Sequence, residues 1–203
     1  MRILLSLALG VLLMAAPARA EQAAADPANT LVLELTTGKV LIKLRPDLAP
    51  GHVARVKELA KEGFYNGIVF HRVIEGFMAQ TGDPTGTGQG GSQLPDLKAE
   101  FNYMPHVRGT VSMARTDQPD TANSQFFIVF YPRFALDHRY TNFGRVIAGM
   151  DVVDAITRGE PPANPTKIVQ ASMLSDNKPR PAAPAALPAP NITADMLSNS
   201  KSN

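Results

Sequence analysis

The stretch FHRVIEGFMAQTGD, residues 70–83, decides how this 203-residue chain is interpreted. Alone it is ambiguous, because an arginine such as Arg72 within a strand is usually a surface residue whose aliphatic part covers apolar neighbours. Phe77 and Met78, taken singly, would be ordinary core residues. Later stretches change that interpretation: GTVSMAR at residues 109–115, SQFFI at residues 124–128, and LD at residues 136–137 leading to FGRV at residues 143–146.

In this order and at this spacing, the stretches resemble the cyclophilin family. The shared patterns are F-H-R-V-x-x-G-F-M-x-Q, G-T-x-S-M-A, S-Q-F-F-I and F-G-R-V, and the resemblance covers about Leu31 to Leu174. It implies a mainly β fold, a closed eight-stranded antiparallel barrel capped by two α-helices, with the site on an outer face. It also implies peptidyl-prolyl cis-trans isomerase activity. The stretch from Ala114 to Ser124 is similar to the bacterial, exported branch of the family.

The resemblance assigns roles to ten residues by their positions in the shared patterns. Arg72, Phe77 and Gln80 fall at catalytic positions, with Arg72 as the catalytic arginine and Gln80 as the glutamine that bonds the substrate and orients the arginine. Phe77 also belongs to the pocket for the proline ring. The remaining positions complete that pocket or line a groove that holds an extended peptide: Met78, Ala114, Arg115, Gln125, Phe127, Leu136 and Tyr140.

Three positions depart from the common pattern of the family. Ala135 stands where many eukaryotic members carry tryptophan, Tyr140 where they carry histidine, and Thr81 where glycine is common. The first two changes resemble bacterial members that remain isomerases. We therefore expect catalysis to be retained and cyclosporin to inhibit poorly, because a large indole contact is absent at Ala135.

The rest of the sequence offers no other chemistry. It has no cysteine, and its histidines, which are His52, His71, His106 and His138, lack the spacing of metal ligands. Rotation about an X-Pro bond breaks no bond and needs no nucleophile or metal, so we expect neither a cofactor nor a metal ion. GTGQGG at residues 86–91 formally matches G-x-G-x-x-G, but a proline and no amphipathic helix follow it, so a surface loop is favoured over a dinucleotide site.

Two other classes of function remain open on the sequence. One is a proline-peptide binding module or holdase chaperone that uses the same groove without catalysis, and the other is an inert structural barrel. The presence of Arg72 and Gln80 together with an apolar pocket favours the enzyme. The expected partners are proline-containing polypeptides and no nucleic acid, because no clustered basic face is evident, and we expect a monomer.

Hydrophobic periodicity predicts the elements. Apolar runs at residues 31–35 and 40–44 around a short glycine-containing turn predict a β-hairpin. Val53, Val56 and Leu59 predict a helix over residues 51–62 that ends at Gly63. Further runs predict strands over 68–74, 109–113, 125–131, 142–147 and 167–174 and a short helix over 150–156.

The two ends of the chain differ from its middle. Residues 1–20 have a positive start, an apolar run and a small-residue cleavage pattern at Ala18-Arg19-Ala20, which predicts a signal peptide. The run is shorter than the about 20 apolar residues of a membrane span, although a retained anchor is the alternative. The predicted organisation is a signal peptide (1–20), a flexible lead-in (21–29), an isomerase domain (30–175) and a Pro/Ala-rich disordered tail (176–203).

A signal peptide implies a mature protein outside the cytoplasm. Removal of Arg2 and Arg19 with it leaves equal numbers of basic and acidic residues, and the lack of cysteine suits an oxidising compartment. We expect a periplasmic location, or secretion if the organism has no outer membrane, without stable membrane insertion after cleavage.

Overall fold

The computed structural model describes residues 25–182, in which one curled antiparallel sheet packs against two α-helices. The strands are β1 (Thr30–Leu35), β2 (Gly38–Leu44), β3 (Arg72–Ile74), β4 (Met78–Thr81), β5 (Thr110–Met113), β6 (Phe126–Val129), β7 (Asn142–Ala148) and β8 (Ile168–Met173). The helices are α1 (Pro50–Lys61) and α2 (Met150–Asp154).

The sheet has the order β3-β4-β6-β5-β7-β2-β1-β8, and all its neighbouring strands are antiparallel. It curls through 224° and stays open, so the predicted closed barrel is wrong and the fold is a half-barrel. Within residues 25–182, the edge strands β3 and β8 share no ladder. Two isolated bridges lie along the gap between the edges, which we call the seam. Val69 with Lys167 joins the residues that precede β3 and β8, and Val73 with Gly159 joins β3 to the segment between α2 and β8.

Apolar side chains lie on both faces of part of the sheet. The concave face holds the main core, which includes Val73, Ala79 and Ile128. A separate cluster around Met78, Phe127 and Val129 lies on the opposite face, as the alternation of side chains along β4 and β6 requires. This second cluster, outside the barrel, provides the apolar surface on which the candidate site is built.

Helix α1 confirms the predicted helix almost to the residue. Pro50 occupies its first turn, where a missing N–H is tolerated. Val53, Val56 and Leu59 are buried on one face, and the helix ends just before Gly63, whose φ of 75° favours glycine. The buried face fixes α1 against the sheet because moving it would expose those side chains to water.

The structure adds one strand that the sequence analysis did not predict and shortens another. Strand β4, Met78–Thr81, was not predicted. The strand predicted over residues 68–74 is in a ladder only from Arg72, because the residues before it pair across the seam. Phe70 donates its N–H to the carbonyl of Thr166 at 2.9 Å, and Ile168 donates to Ile68 at 2.9 Å.

The described residues include small parts of both predicted terminal segments. Pro27–Asn29 forms a short 3-10 turn whose N-terminus is capped by the Asp26 carboxylate. In the tail, the Arg180 guanidinium lies 3.5 Å from the buried carboxylate of Glu34. The predicted signal peptide and most of the Pro/Ala-rich tail lie outside the described residues. No helix between residues 25 and 182 is long and apolar enough to cross a membrane.

Candidate active site

The register of three strands places the key polar and apolar residues in one row. Arg72 pairs with Gln80 across β3 and β4, and Gln80 pairs with Phe127 across β4 and β6. Directly opposed residues lie about 4.5–5.5 Å apart between Cβ atoms and point to the same face. The guanidinium, the amide and the aromatic ring are therefore neighbours on the outer face of the half-barrel.

A hollow with both apolar and polar walls lies beside this row. Its volume is about 110 Å³. Its lining residues are Arg72, Phe77, Met78, Gln80, Ala114, Arg115, Phe127, Leu136 and Tyr140. We call it the ring pocket.

Aromatic and cationic contacts stiffen the walls of the ring pocket. Tyr140 packs its ring edge-on against Phe127, with centroids 5.7 Å apart. The Arg115 guanidinium lies 4.5 Å from the Tyr140 ring centre, and that of Arg133 lies 5.2 Å from the Phe77 ring centre. Such contacts contribute about 0.5–1 kcal/mol each at exposed sites, so they help to hold the walls of the pocket in place.

A chain of side-chain amides orients the row. Gln125 donates its Nε2 to the carbonyls of Gly88 and Gly90, at 3.1 and 2.8 Å. Its Oε1 therefore faces Gln80, which donates Nε2 to it at 2.9 Å. The side-chain oxygen Oε1 of Gln80 in turn accepts a hydrogen bond from Arg72 Nη1 at 3.5 Å. Each amide fixes the direction of the next one, so the glycine loop sets the orientation of the amide beside Arg72.

The loop at residues 83–91 is held by one buried carboxylate. Asp83 accepts from the N–H of Gly88 at 2.6 Å and from the N–H and hydroxyl of Thr85 at 2.7 and 2.8 Å. Burial raises the pKa of Asp83, but these hydrogen bonds outweigh it and lower the pKa to about 2. The residues form turns with no helix after them, which confirms the predicted surface loop.

A second, larger hollow continues from the ring pocket. Its volume is about 520 Å³, and it shares Gln80, Ala114 and Arg115 with the ring pocket. Gln125 lines its floor, and the glycine loop and residues 115–123 form its sides. The two hollows form one continuous groove, in which an extended chain can place one residue in each.

Behind the ring pocket, a buried histidine ties two elements together. The His106 ring lies within hydrogen-bonding distance of both Asp137 and Ser112, at 2.8 Å each. It also stacks on Phe127 with centroids 6.4 Å apart. Burial lowers the pKa of His106, while the adjacent Asp137 raises it, and the balance is a lowered value. The histidine thus supports the pocket floor from below and holds the turn that carries Leu136.

All ten residues that the sequence singled out lie around the two hollows, although their roles remain predictions. Nine line the ring pocket itself, and Gln125 lies in the adjoining hollow. Between residues 25 and 182, no group of three or more His, Cys, Asp or Glu side chains could hold a metal ion.

The sequence analysis missed the charged partner of Arg72. The Glu160 carboxylate accepts from Arg72 Nε at 2.8 Å. The two residues lie 88 positions apart along the chain, and no local pattern in the sequence connects them.

Comparison with known proteins places the whole described fold in one family. The profile of the family described as cyclophilin type peptidyl-prolyl cis-trans isomerase/CLD matches residues 30–173. A probable peptidyl-prolyl cis-trans isomerase of Brucella suis biovar 1 is 51% identical over 171 residues, covering 76% of this chain and 87% of the relative. Peptidyl-prolyl cis-trans isomerase-like 1 of Aspergillus fumigatus is 38% identical over 158 residues, covering 73% and 98%.

Solved structures agree with the sequence relatives. A cyclophilin of Hirschia baltica has a TM-score of 0.70 and 33% identity, covering 76% of this chain and 77% of that one. A cyclophilin type peptidyl-prolyl cis-trans isomerase of Cryptosporidium parvum, crystallised in the presence of the dipeptide Ala-Pro, has a TM-score of 0.67 and 27% identity, covering 71% and 98%.

Proposed function

The chain belongs to the cyclophilin-type peptidyl-prolyl cis-trans isomerases, and from this membership we propose that Arg72 drives X-Pro isomerisation in proteins that fold outside the cytoplasm. Isomerase activity itself follows from the family and from the relatives named for it. The residue roles and the location of the clients are the proposal. The contact of Arg72 with the rim of the ring pocket is the observation that carries it.

The reaction needs a group that stabilises a twisted amide. The barrier of about 18–20 kcal/mol comes from resonance between the nitrogen lone pair and the carbonyl. When the bond twists, the nitrogen becomes pyramidal and its lone pair becomes available as an acceptor. An arginine keeps its proton and has five N–H donors. A donor from Arg72 therefore binds the twisted form better than the planar one, which is the requirement for catalysis.

The ring pocket supplies the second part of the mechanism. With the proline ring held between Phe77, Phe127 and Leu136, the ring stays fixed while the residue before it rotates. That residue then points along the groove toward the larger hollow, which adjoins the pocket through Gln80 and Ala114. The dipeptide Ala-Pro, in whose presence the Cryptosporidium relative was crystallised, carries the proline ring that this pocket would hold.

The magnitudes show that Arg72 does not act alone. A hydrogen bond to a charged group contributes about 1.5–3 kcal/mol, and each tenfold in rate requires about 1.4 kcal/mol. One such bond accounts for roughly one or two powers of ten. We assign the remaining acceleration to ring anchoring and to removal of water from the groove.

Replacement of the arginine tests the proposal. We expect Arg72→Ala to lower kcat/KM for a proline peptide by about 10- to 100-fold or more, because the donor to the pyramidal nitrogen is lost. The exposed side chain makes a surface ion pair, and such pairs contribute little to stability, so the unfolding midpoint should hardly change. The measurement is a protease-coupled or NMR exchange assay beside a urea melt.

The same assay separates catalysis from simple binding. Arg139→Ala, which removes an exposed arginine outside the ring pocket, is the control and should keep wild-type turnover. Near-wild-type turnover in Arg72→Ala would refute the proposed role of the arginine. A wild-type chain that binds proline peptides without turnover would instead favour the holdase or binding module.

The proposed location rests on the pattern of residues 1–20 and on the absence of cysteine in the whole chain. The clients would then be exported proteins whose X-Pro bonds isomerise slowly during folding. N-terminal sequencing of the protein from its native host should find Glu21 as the first residue. An intact Met1 in a cytoplasmic fraction would exclude export.

A further inference from the structure

Arg72 is contacted from two sides, and only one of them belongs to the shared family patterns. On one side Gln80 lies 3.5 Å from Nη1, and on the other the Glu160 carboxylate lies 2.8 Å from Nε. Both side chains of the ion pair are about half exposed, Arg72 at 42% and Glu160 at 50%. At that exposure an ion pair adds little to folding stability, so any importance of Glu160 must lie in where it holds the guanidinium.

The backbone fixes this contact through the seam. Val73 donates its N–H to the Gly159 carbonyl at 2.8 Å and accepts from the Gly159 N–H at 2.9 Å. In an antiparallel pair, the residues next to such a doubly bonded pair directly face each other with their side chains close. Arg72 and Glu160 are those residues. Glu160 therefore extends the row of Arg72, Gln80 and Phe127 by one position.

The segment that carries Glu160 is itself firmly held. Arg158 donates to the carbonyls of Asp154 and Ile156, at 2.7 and 2.5 Å, and its guanidinium lies 4.3 Å from the ring centre of Phe130. At Gly159 a side chain would collide with the backbone of Pro162, at 2.6 Å from its Cα. The carboxylate is thus presented by a tightly packed turn.

We propose that Glu160 is a positioning residue for Arg72, a role that rests on the proposed catalytic role of that arginine. The carboxylate takes the Nε–H and Gln80 takes one Nη1–H, which leaves three of the five guanidinium donors for the substrate. Contacts at both ends of the planar group favour the orientation in which it faces the ring pocket. The Arg72 side chain then loses conformational entropy on folding, so that less is lost when the peptide binds.

Two substitutions separate this role from a simple effect of charge. Glu160→Gln keeps an oxygen that can accept from Nε–H but removes the negative charge, whereas Glu160→Ala removes both. For positioning we expect kcat to fall on the order of fivefold in Glu160→Ala with little change in KM, because the donor is misdirected and the pocket is intact. In Glu160→Gln, kcat should stay within about twofold of wild type. Asp47→Ala, which removes an exposed partner of Arg45 elsewhere on the surface, is the matched control.

A second measurement does not depend on turnover. In an NMR spectrum of the folded chain, the Nε–H of Arg72 should exchange slowly with solvent in wild type and in Glu160→Gln. It should exchange rapidly in Glu160→Ala, while the Nε–H of Arg158 stays unchanged in all three. A wild-type chain without isomerase activity would refute the proposed function, but this readout would still decide whether Glu160 holds Arg72.

Three results would overturn the proposal. The first is wild-type kcat in Glu160→Ala, and the second is a slowly exchanging Arg72 Nε–H in that variant. The third is an equal loss of kcat in Glu160→Ala and Glu160→Gln, which would show that the charge matters and the hydrogen bond does not.

Discussion

At the scale of single residues, the direction of Arg72 is set by its neighbour. Val73 is 2% exposed and belongs to the main core. Because successive side chains of a strand point to opposite faces, burying Val73 inside the half-barrel sends Arg72 outward to the ring pocket. A slip of one residue would bury the guanidinium and expose the valine, so the core holds the register on which the site depends.

Ala135 offers a prediction at the same scale. It lies exposed in the 3-10 turn Phe134–Leu136, next to the pocket residue Leu136. An indole at this position would extend the apolar wall, and burying a large aromatic surface against a ligand contributes about 1.5–3 kcal/mol. We expect Ala135→Trp to tighten cyclosporin inhibition by about tenfold or more, measured by titration of isomerase activity.

The control for that experiment is the turnover of the uninhibited variant. Ala135 lies outside the lining of the ring pocket, so kcat/KM for a short proline peptide should stay close to wild type. Tight inhibition of the wild-type chain, or no gain on introducing tryptophan, would contradict the expectation.

The sequence predicts the residues of the site well and their contacts poorly. The ten site residues were found because the family patterns are local, each lying within a dozen positions. Glu160 lacks such a pattern: it meets Arg72 only because the backbone of Gly159 pairs with that of Val73. Contacts across the seam depend on which distant parts of the chain pair with each other, and local periodicity in the sequence does not reveal this pairing.

At the scale of elements, β4 shows why one strand escaped prediction. Met78 lies in the outer cluster while Ala79 and Thr81 are buried toward the other side, so both faces of the strand are covered. A strand buried on both faces loses the alternation of apolar and polar residues by which strands are recognised. The outer apolar cluster is therefore the reason that β4 escaped prediction, because its side chains cover the outer face of the strand.

The glycine loop supports a prediction at the element scale. A side chain at Gly90 would collide with the Asp83 carboxylate, which organises the loop. We expect Gly90→Ala to destabilise the fold by about 1–3 kcal/mol. It should also lower kcat/KM several-fold, because the displaced carbonyl of Gly90 would no longer hold Gln125 at 2.8 Å. Urea unfolding and the isomerase assay measure the two effects.

The neighbouring glycine provides the comparison. At Gly91 a new side chain would approach the Asn123 side chain to 3.2 Å, which is a tight contact but a smaller overlap than the collision with Asp83 at Gly90. Gly91→Ala should therefore be the milder change in both measurements. If the two variants behave alike, the loop does not transmit its geometry to the amide chain.

At the scale of the whole molecule, three buried histidines predict how stability depends on pH. Burial lowers the pKa of the His52, His71 and His106 side chains below the ordinary value of 6.5, against nearby carboxylates that raise it. As the pH falls below about 6.5, the unfolded chain therefore takes up protons that the native state resists. Because stability decreases with falling pH wherever the unfolded state binds more protons, we expect the free energy of unfolding to fall between pH 7 and pH 5.

Urea unfolding at pH 7.5, 6.0 and 5.0 measures this dependence. His138→Gln, at an exposed position, is the control and should give the same profile as wild type. A free energy of unfolding that stays level from pH 7.5 to pH 5.0 would contradict the prediction. A further loss is expected at lower pH, because the pKa of Asp83 is also lowered in the native state.

The sequence predicted the fold class correctly but wrongly predicted that the barrel is closed. The number of strands, their antiparallel pairing and the two helices agree with the expectation from the shared patterns. The open seam disagrees with that expectation. Closure requires β3 and β8 to come close enough to form a ladder, and the curvature of the entire sheet decides whether they do.

The bridge between Val73 and Gly159 joins the edge strand β3 to the segment between α2 and β8, and it places the Glu160 carboxylate beside Arg72. If this bridge opens transiently while the rest of the fold stays intact, Arg72 loses its hydrogen bond to the Glu160 carboxylate. Warming below the melting temperature should then lower turnover by at most about the fivefold expected for Glu160→Ala. The backbone amides of Val73 and Gly159 should exchange with deuterium sooner than those of β1 and β2. The temperature range of full activity would then be set by the stability of the Val73–Gly159 bridge and not by that of the hydrophobic core.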